Sequence, residues 1–376
     1  MLRLNLWMLL AAAAAWGDDG QRVVRVDHYV PVKSIAPSMA GQTAQVYVRE
    51  VVQTGVGLRN GAGERAPVVL FIHGAGTPAE VAFDVPYQDY SWMAYLAKAG
   101  YDVFSMDMTG YGRSTRPALM NDQRNLSKEQ QAQFRATPCA VGEARVTTME
   151  SDWHDIGTVV DYVRSLRGVA KVNLVGWSQG GPRAGGYAAK NPDKVGRLVL
   201  LAPAYFSGRP TGAPPAGAMN RQAPFNTQSR ADLDANWDRQ VGCPEQFDMA
   251  AREAVWADML ASDPVGATWG TGVRRAPNVG GGSDGWNKQV VGAMKTPLLV
   301  VGAALDKQAL PERVRALHAD YGAAEKVYLD LGCASHNALW ERNHLLLFAA
   351  SLEWFTKGTV NGANNGEVRV GYRDQK

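Results

Sequence analysis

The chain predicts a doubly wound α/β fold, with eight strands in a mainly parallel sheet, and three features carry that prediction. Strand-like runs alternate with helix-like periodicity along most of the 376 residues. Several runs are continuous rather than alternating, such as Val68-Val69-Leu70-Phe71-Ile72 and Leu298-Leu299-Val300-Val301, the pattern of strands covered on both faces. The composition suits a chain that buries a large core: 46% hydrophobic residues, 20% charged residues and a net charge of +3 exclude disorder as the main state.

In chain order, strands are expected at 22–32, 44–52, 67–73, 102–108, 171–176, 197–202, 297–302 and 326–331. Helical periodicity marks 90–99, 152–166, 179–189, 312–321 and 338–355. No helix separates the first two strands, so they should enter the sheet antiparallel, and the rest should run parallel with helix crossovers. Two stretches break the rhythm. Residues 115–150 are polar and irregular. Residues 203–295 are rich in Pro and Gly, yet carry Tyr205, Phe206, Phe225, Trp237, Phe247, Trp256, Trp269 and Trp286. A structureless loop that long is improbable in a compact domain, so a partly helical lid is expected there, between core segments 18–202 and 296–376. Its aromatics are expected to form its own core and its seam with the sheet, with some lining an apolar pocket.

Residues 1–17 read as a signal peptide: Arg3, an apolar run from Leu4 to Ala15, and Ala13-Ala14-Ala15 as a small-residue cleavage site. That run is too short to cross a bilayer core of roughly 30 Å, so an exported, periplasmic or secreted protein without an integral membrane segment is expected. The small net charge argues against a nucleic-acid partner. The three cysteines, Cys139, Cys243 and Cys333, lack the paired spacing of a zinc site. No metal or cofactor is expected, because HExxH, EF-hand and phosphate-loop patterns are missing, including from the glycine-rich stretches 55–63 and 280–282. In an oxidising compartment Cys139 and Cys243, one in each irregular stretch, are a candidate pair, with Cys333 packed as a small apolar group.

The chemistry concentrates at Gly176-Trp177-Ser178-Gln179-Gly180, a G-x-S-x-G between a strand and a helix. In that context it reads as a nucleophile elbow: a tight turn exposes the serine, and the glycines let neighbouring backbone come close. The helix that follows begins with Gly180, Gly181, Ala184, Gly185 and Gly186, small enough for close packing on the sheet.

With these residues the chain resembles the α/β-hydrolase family from about residue 68 to 355, and other motifs follow that family's order. His73-Gly74-Ala75-Gly76 ends the third strand, where the family places its oxyanion loop. Asp107-Met108-Thr109-Gly110-Tyr111-Gly112-Arg113-Ser114 looks like the family's D-x-x-G-x-G-x-S segment. The order Ser, then Asp or Glu, then His points to His336, which follows the last expected strand, and to Asp306, just past the strand at 297–302. Asp320 and Asp330 are poorer choices, inside a helix and a strand. The resemblance implies Ser178 as nucleophile, His336 as base, Asp306 as orienting acid, and the Gln179 and Ala75 N–H groups as oxyanion donors. His28, His73, His154, His318 and His344 are expected to be structural or solvated.

The expected function is a serine hydrolase cleaving carboxylic esters through an acyl-enzyme, acting on a small ester or amide with an apolar portion. Alternatives are an amidase or aminopeptidase with the same triad, and a non-hydrolytic relative, a lyase or a binding protein.

Overall fold

The computed structural model describes residues 19–57, 66–134, 145–208, 223–279 and 285–372. The expected leader at 1–17, Cys139 and the glycine run 280–282 lie outside the described residues.

Strands β1 (Val23–Lys33) and β2 (Thr43–Gln53) pair antiparallel along their whole length, from Val23 opposite Gln53 to Lys33 opposite Thr43. Next come β3 (Val68–Ile72), β4 (Asp102–Met106), β5 (Val172–Trp177) and β6 (Val195–Leu201). A two-stranded antiparallel ribbon follows, β7 (Phe225–Ser229) with β8 (Val273–Pro277). The chain then adds β9 (Leu298–Ala303), β10 (Lys326–Leu331) and β11 (Asn365–Val370). The main sheet runs β1-β2-β4-β3-β5-β6-β9-β10-β11, and from β4 to β11 every pairing is parallel.

All eight expected strands are present, but the sheet has nine. The ninth, β11, escaped the sequence reading because Asn-Gly-Glu-Val-Arg-Val offers only two apolar residues. Its residues alternate between exposed and half-buried, as an edge strand zipped on by backbone bonds requires. By contrast every residue of β3 and β4 is buried, so these strands are covered on both faces. On one helix layer, Trp92 of the helix Trp92–Lys98 stacks on Phe348 of the helix His344–Lys357 at 5.1 Å. The helices Met149–Arg167 and Gly180–Lys190 pack on each other in another.

One long expected helix, 338–355, is broken. A short 3-10 turn, Ala338–Trp340, precedes the helix His344–Lys357. Between them Glu341 turns inward, fully buried, to accept hydrogen bonds from Ser335 N (2.7 Å) and Ser335 Oγ (2.5 Å), which fixes the turn that carries His336.

The insertion between β6 and β9 holds the ribbon and the helices Arg230–Asp238, Met249–Ala261 and Lys288–Ala293. Of its eight aromatics all but Phe206 and Phe247 are buried. Phe225, Trp269 and Val273 share a small core with Met120, Leu126 and Val146, so the two irregular stretches of the sequence pack on one another. Among the described residues, no helix is long and apolar enough to cross a membrane.

Candidate active site

The chain reverses its direction of travel across the sheet between β3 and β5, so the C-terminal ends of these neighbours frame the crevice where ligands of open α/β sheets bind. Both ends carry tight turns. After β5, Ser178 sits at φ +57°, a left-handed conformation that a non-glycine residue adopts at a cost. That turn needs its glycines. A side chain at Gly176 would run into the Gly180 carbonyl, and one at Gly180 into the carbonyl of Ile72. The loop after β3 lies alongside, for a Cβ added to Gly74 would sit 3.0 Å from Ser178 Cβ.

Ser178 Oγ is 2.9 Å from His336 Nε2, and His336 Nδ1 is 2.8 Å from Asp306 Oδ2. His336 and Asp306 are buried and Ser178 is half-buried. The second oxygen of Asp306 accepts from the backbone N–H groups of Gln308 (2.7 Å) and Ala309 (2.9 Å), which locks the carboxylate. The other two acids weighed from the sequence are occupied elsewhere: Asp320 with Tyr205 and Ser207, Asp330 with Tyr372. Trp177 Nε1 donates to the His336 carbonyl at 2.9 Å, and Trp177 meets Trp340, which stacks on Trp237 of the insertion. Gln179 is buried and Ala75 exposed; among the described residues neither N–H has an acceptor within the chain.

The remaining histidines keep to their own neighbourhoods. His28 meets Glu50, His154 the Lys33 carbonyl, His318 the Lys326 carbonyl and His344 Asp89. His73 accepts from Met108 N through Nε2, so its Nδ1–H donates to the Gly74 carbonyl. Complete burial, with Arg183 nearby, pushes His73 well below the usual histidine range and keeps it neutral. Asp107 of the D-x-x-G-x-G-x-S segment is a turn organiser, accepting from Ala79 N and Arg113 N.

Three contributors were missed from sequence. Arg183, fully buried, pairs with Asp152 at 2.7 Å and donates to the carbonyls of His73 and Gly74, both at 3.0 Å. A single charged side chain in the small-residue start of that helix was the available signal. Gln240 and Gln246 of the insertion reach under the site. Gln240 Oε1 faces the N–H groups of Lys307 and His336, and Gln246 donates to Glu341 at 2.9 Å.

The cysteine expectation is corrected: Cys243 is bonded to Cys333, so it is not paired with Cys139, and Cys333 is not a free apolar group. The insertion folds back so that Cys243 meets the loop between β10 and His336, a landing point that spacing along the chain does not encode.

The family model described as alpha/beta hydrolase fold matches residues 67–342. The chain is similar to a human protein named (lyso)-N-acylphosphatidylethanolamine lipase, 32% identical over 160 residues. That match spans 41% of this chain and only 36% of the lipase. Among solved structures, a serine hydrolase of the polyaromatic-hydrocarbon-degrading bacterium Cycloclasticus zankles is 14% identical, with TM-score 0.54 over 88% of this chain and 98% of that one. A thermophilic esterase of Thermogutta terrifontis is 15% identical, with TM-score 0.51 over 88% and 98%. At these identities the two structures speak for the fold.

Proposed function

The chain belongs to the α/β-hydrolase family, and from that premise we propose that it is a serine hydrolase that cleaves carboxylic esters through an acyl-enzyme. The observation that carries the reading is the hydrogen-bonded line Ser178–His336–Asp306, with links of 2.9 and 2.8 Å.

A neutral hydroxyl is a weak nucleophile until a base takes its proton during attack. As Ser178 Oγ attacks the ester carbonyl, His336 Nε2 takes that proton. Asp306 holds the imidazole with Nδ1 protonated and stabilises the imidazolium without itself being protonated. The negative oxygen of the tetrahedral intermediate is met by the N–H groups of Gln179 and Ala75, each contributing about 3–4 kcal/mol. His336 gives its proton to the departing alcohol, and acyl-Ser178 remains. Water, activated by the same histidine, then releases the carboxylic acid and restores the serine. The insertion acts as a lid over the strand ends. The Cys243–Cys333 bond supports an oxidising compartment, and hence export. The name of the lipase to which the chain is similar supports an ester over an amide.

The test is a fluorophosphonate label located by mass spectrometry, with kcat/KM for p-nitrophenyl esters of graded length beside matched anilides. Label on Ser178 and faster ester turnover are expected. Label elsewhere would sink the nucleophile, and faster anilide turnover would turn the reading to an amidase.

A further inference from the structure

The ribbon of the insertion presents two consecutive arginines to opposite sides. Arg275 faces inward, buried, and its charge is fully answered: Nη2 lies 2.7 Å from Asp263, and Nη1 donates to the Met120 carbonyl at 2.6 Å. Arg274 points the other way, onto the loop after β3. A side chain at Gly76, a residue held at φ +80°, would run into Arg274 Nη2. The hydrogen-bond partners of Arg274 are neutral amides from β7: Asn226 Oδ1 at 2.7 Å and Gln228 Oε1 at 3.3 Å. Among the described residues no carboxylate lies within ion-pairing distance of it, and Nη2 makes no hydrogen bond. Burial lowers its pKa to about 10, with more distant Tyr111, Asp263 and Asp232 opposing that and Arg116 adding to it. It therefore stays charged at neutral pH. Part of the residue remains accessible.

A desolvated cation without a counter-ion is costly unless something brings the missing charge. Its position says what. Gly76 follows Ala75, and Gly74 borders Ser178, so the guanidinium touches a loop position within about 7 Å, two peptide units, of the nucleophile's neighbour. We propose that Arg274 is a specificity residue whose guanidinium receives an anionic group, carboxylate or phosphate, carried by the ester substrate close to its scissile carbonyl. This rests on the reading of the chain as a serine esterase and names the substrate class. The planar fork of arginine matches two oxygens of either anion, and the amides of Asn226 and Gln228 hold the fork in place without neutralising it.

The experiment compares kcat/KM within two matched pairs on the full chain. For a carboxylate the pair is p-nitrophenyl hexanoate and the mono-p-nitrophenyl ester of adipic acid. For a phosphate it is 1-butyrylglycerol and its 3-phosphate. The wild type should prefer the anionic member of at least one pair by about tenfold or more, and the favoured pair identifies the anion. Arg274→Gln should lose about 10- to 100-fold on that ester, as expected for a hydrogen-bonded charge, while its neutral partner changes less than about threefold. Arg274→Lys should recover part of the loss, keeping the charge without the fork. No anionic preference in either pair, or equal losses on both members, overturns the inference. Should Arg274→Gln fail to fold, wild-type hydrolysis of p-nitrophenyl hexanoate is measured with adipate or with hexanamide. Competition by adipate alone supports the anion site, and equal behaviour of the two overturns it. Turnover of neutral esters with label on Ser178 but no anionic preference sinks this inference alone, whereas no turnover and no label sink the esterase reading with it.

Discussion

Two arginines lie against the loop that carries Ala75, Arg183 bonded to its carbonyls and Arg274 only touching it at Gly76, and they differ in how their charge is met. Arg183, on the sheet side, is sealed from water with its charge answered by Asp152 and its other donors spent on the His73 and Gly74 carbonyls. Arg274, from the insertion, keeps neutral amide partners and an unused nitrogen. On the sheet side Ser178, His336, Asp306 and the loop are held by hydrogen bonds within the chain, and what stays open there, the N–H groups of Gln179 and Ala75, carries no formal charge. The insertion side leaves a charge open. A site built this way separates the chemistry, which must be preorganised, from the selection of substrate, which needs groups that only the substrate completes.

The sharpest way to test that division is to remove the Ser178 hydroxyl, the proposed nucleophile. Ser178→Ala should lower kcat by about 10⁴-fold or more, a loss no insertion residue should match, since their contribution is to binding. The melting temperature should not fall, because one oxygen leaves a strained turn. Ester turnover and thermal melts check both halves. Residual activity within tenfold of wild type would mean the sheet side does not hold the nucleophile.

Next in size is the covalent tie between the two sides. The Cys243–Cys333 bond spans 90 residues, and in the chain-entropy model closing such a loop stabilises the native state by about 4–5 kcal/mol. Replacing both cysteines with serine should shift the urea midpoint accordingly, while kcat of the folded fraction changes little. An unmoved midpoint would mean that non-covalent contacts such as Gln246–Glu341 already hold the insertion against the His336 loop.

Legibility from sequence follows the same boundary. The G-x-S-x-G turn, the strands around it and His336 after β10 were readable because each depends on neighbours within a few residues, and buried parallel strands announce themselves as apolar runs. Asp306 needed the family's order as well, since spacing alone left Asp320 and Asp330 open. The insertion was legible only as aromatic and partly helical. Where Cys243, Gln240 and Arg274 come to rest depends on contacts tens to hundreds of residues away, which no local period records. Arg183 and Glu341 were missed for a related reason: each is a charged residue turned inward with a partner distant in the chain, Asp152 and Gln246, that its own surroundings in the sequence do not reveal. β11 was lost because an edge strand needs little hydrophobicity.

Asp306→Asn probes the sheet side more gently. The amide keeps size, but it can present a donor to Nδ1 and so favour the wrong imidazole tautomer. A loss of about 10²-fold or more in kcat, roughly 2.7 kcal/mol, is expected with an unchanged melting temperature. Activity that falls only in step with stability would make Asp306 a structural carboxylate instead.

The smallest effect lies at the seam, in Glu341, held by Ser335 from the sheet side and Gln246 from the insertion. Burial raises its carboxyl pKa from the ordinary 4.5 to about 7; the hydrogen bonds from Ser335 and Gln246 oppose that rise and nearby Asp306 adds to it. A carboxyl raised on folding makes the folded state bind more protons than the unfolded one, so its stabilising contribution is complete below pH 4.5 and fades as pH rises through about 7. Between pH 6 and 8 the folded group gives up most of its proton while the unfolded group has none left to lose. Over that interval stability should fall by about 1.4 kcal/mol from this residue alone. Asp107, Asp155 and Asp258, each raised to about 6 chiefly by burial, add losses of the same sign, so the informative quantity is a difference between proteins. Glu341→Gln cannot ionise, and its unfolding free energy should decline less steeply than the wild type's across pH 6–8, by about that amount. Urea melts at half-unit pH steps measure both slopes. Parallel curves would mean that Glu341 is already ionised at pH 6, with the seam from Ser335 to Gln246 strong enough to hold a buried charge as firmly as the sheet side holds Arg183.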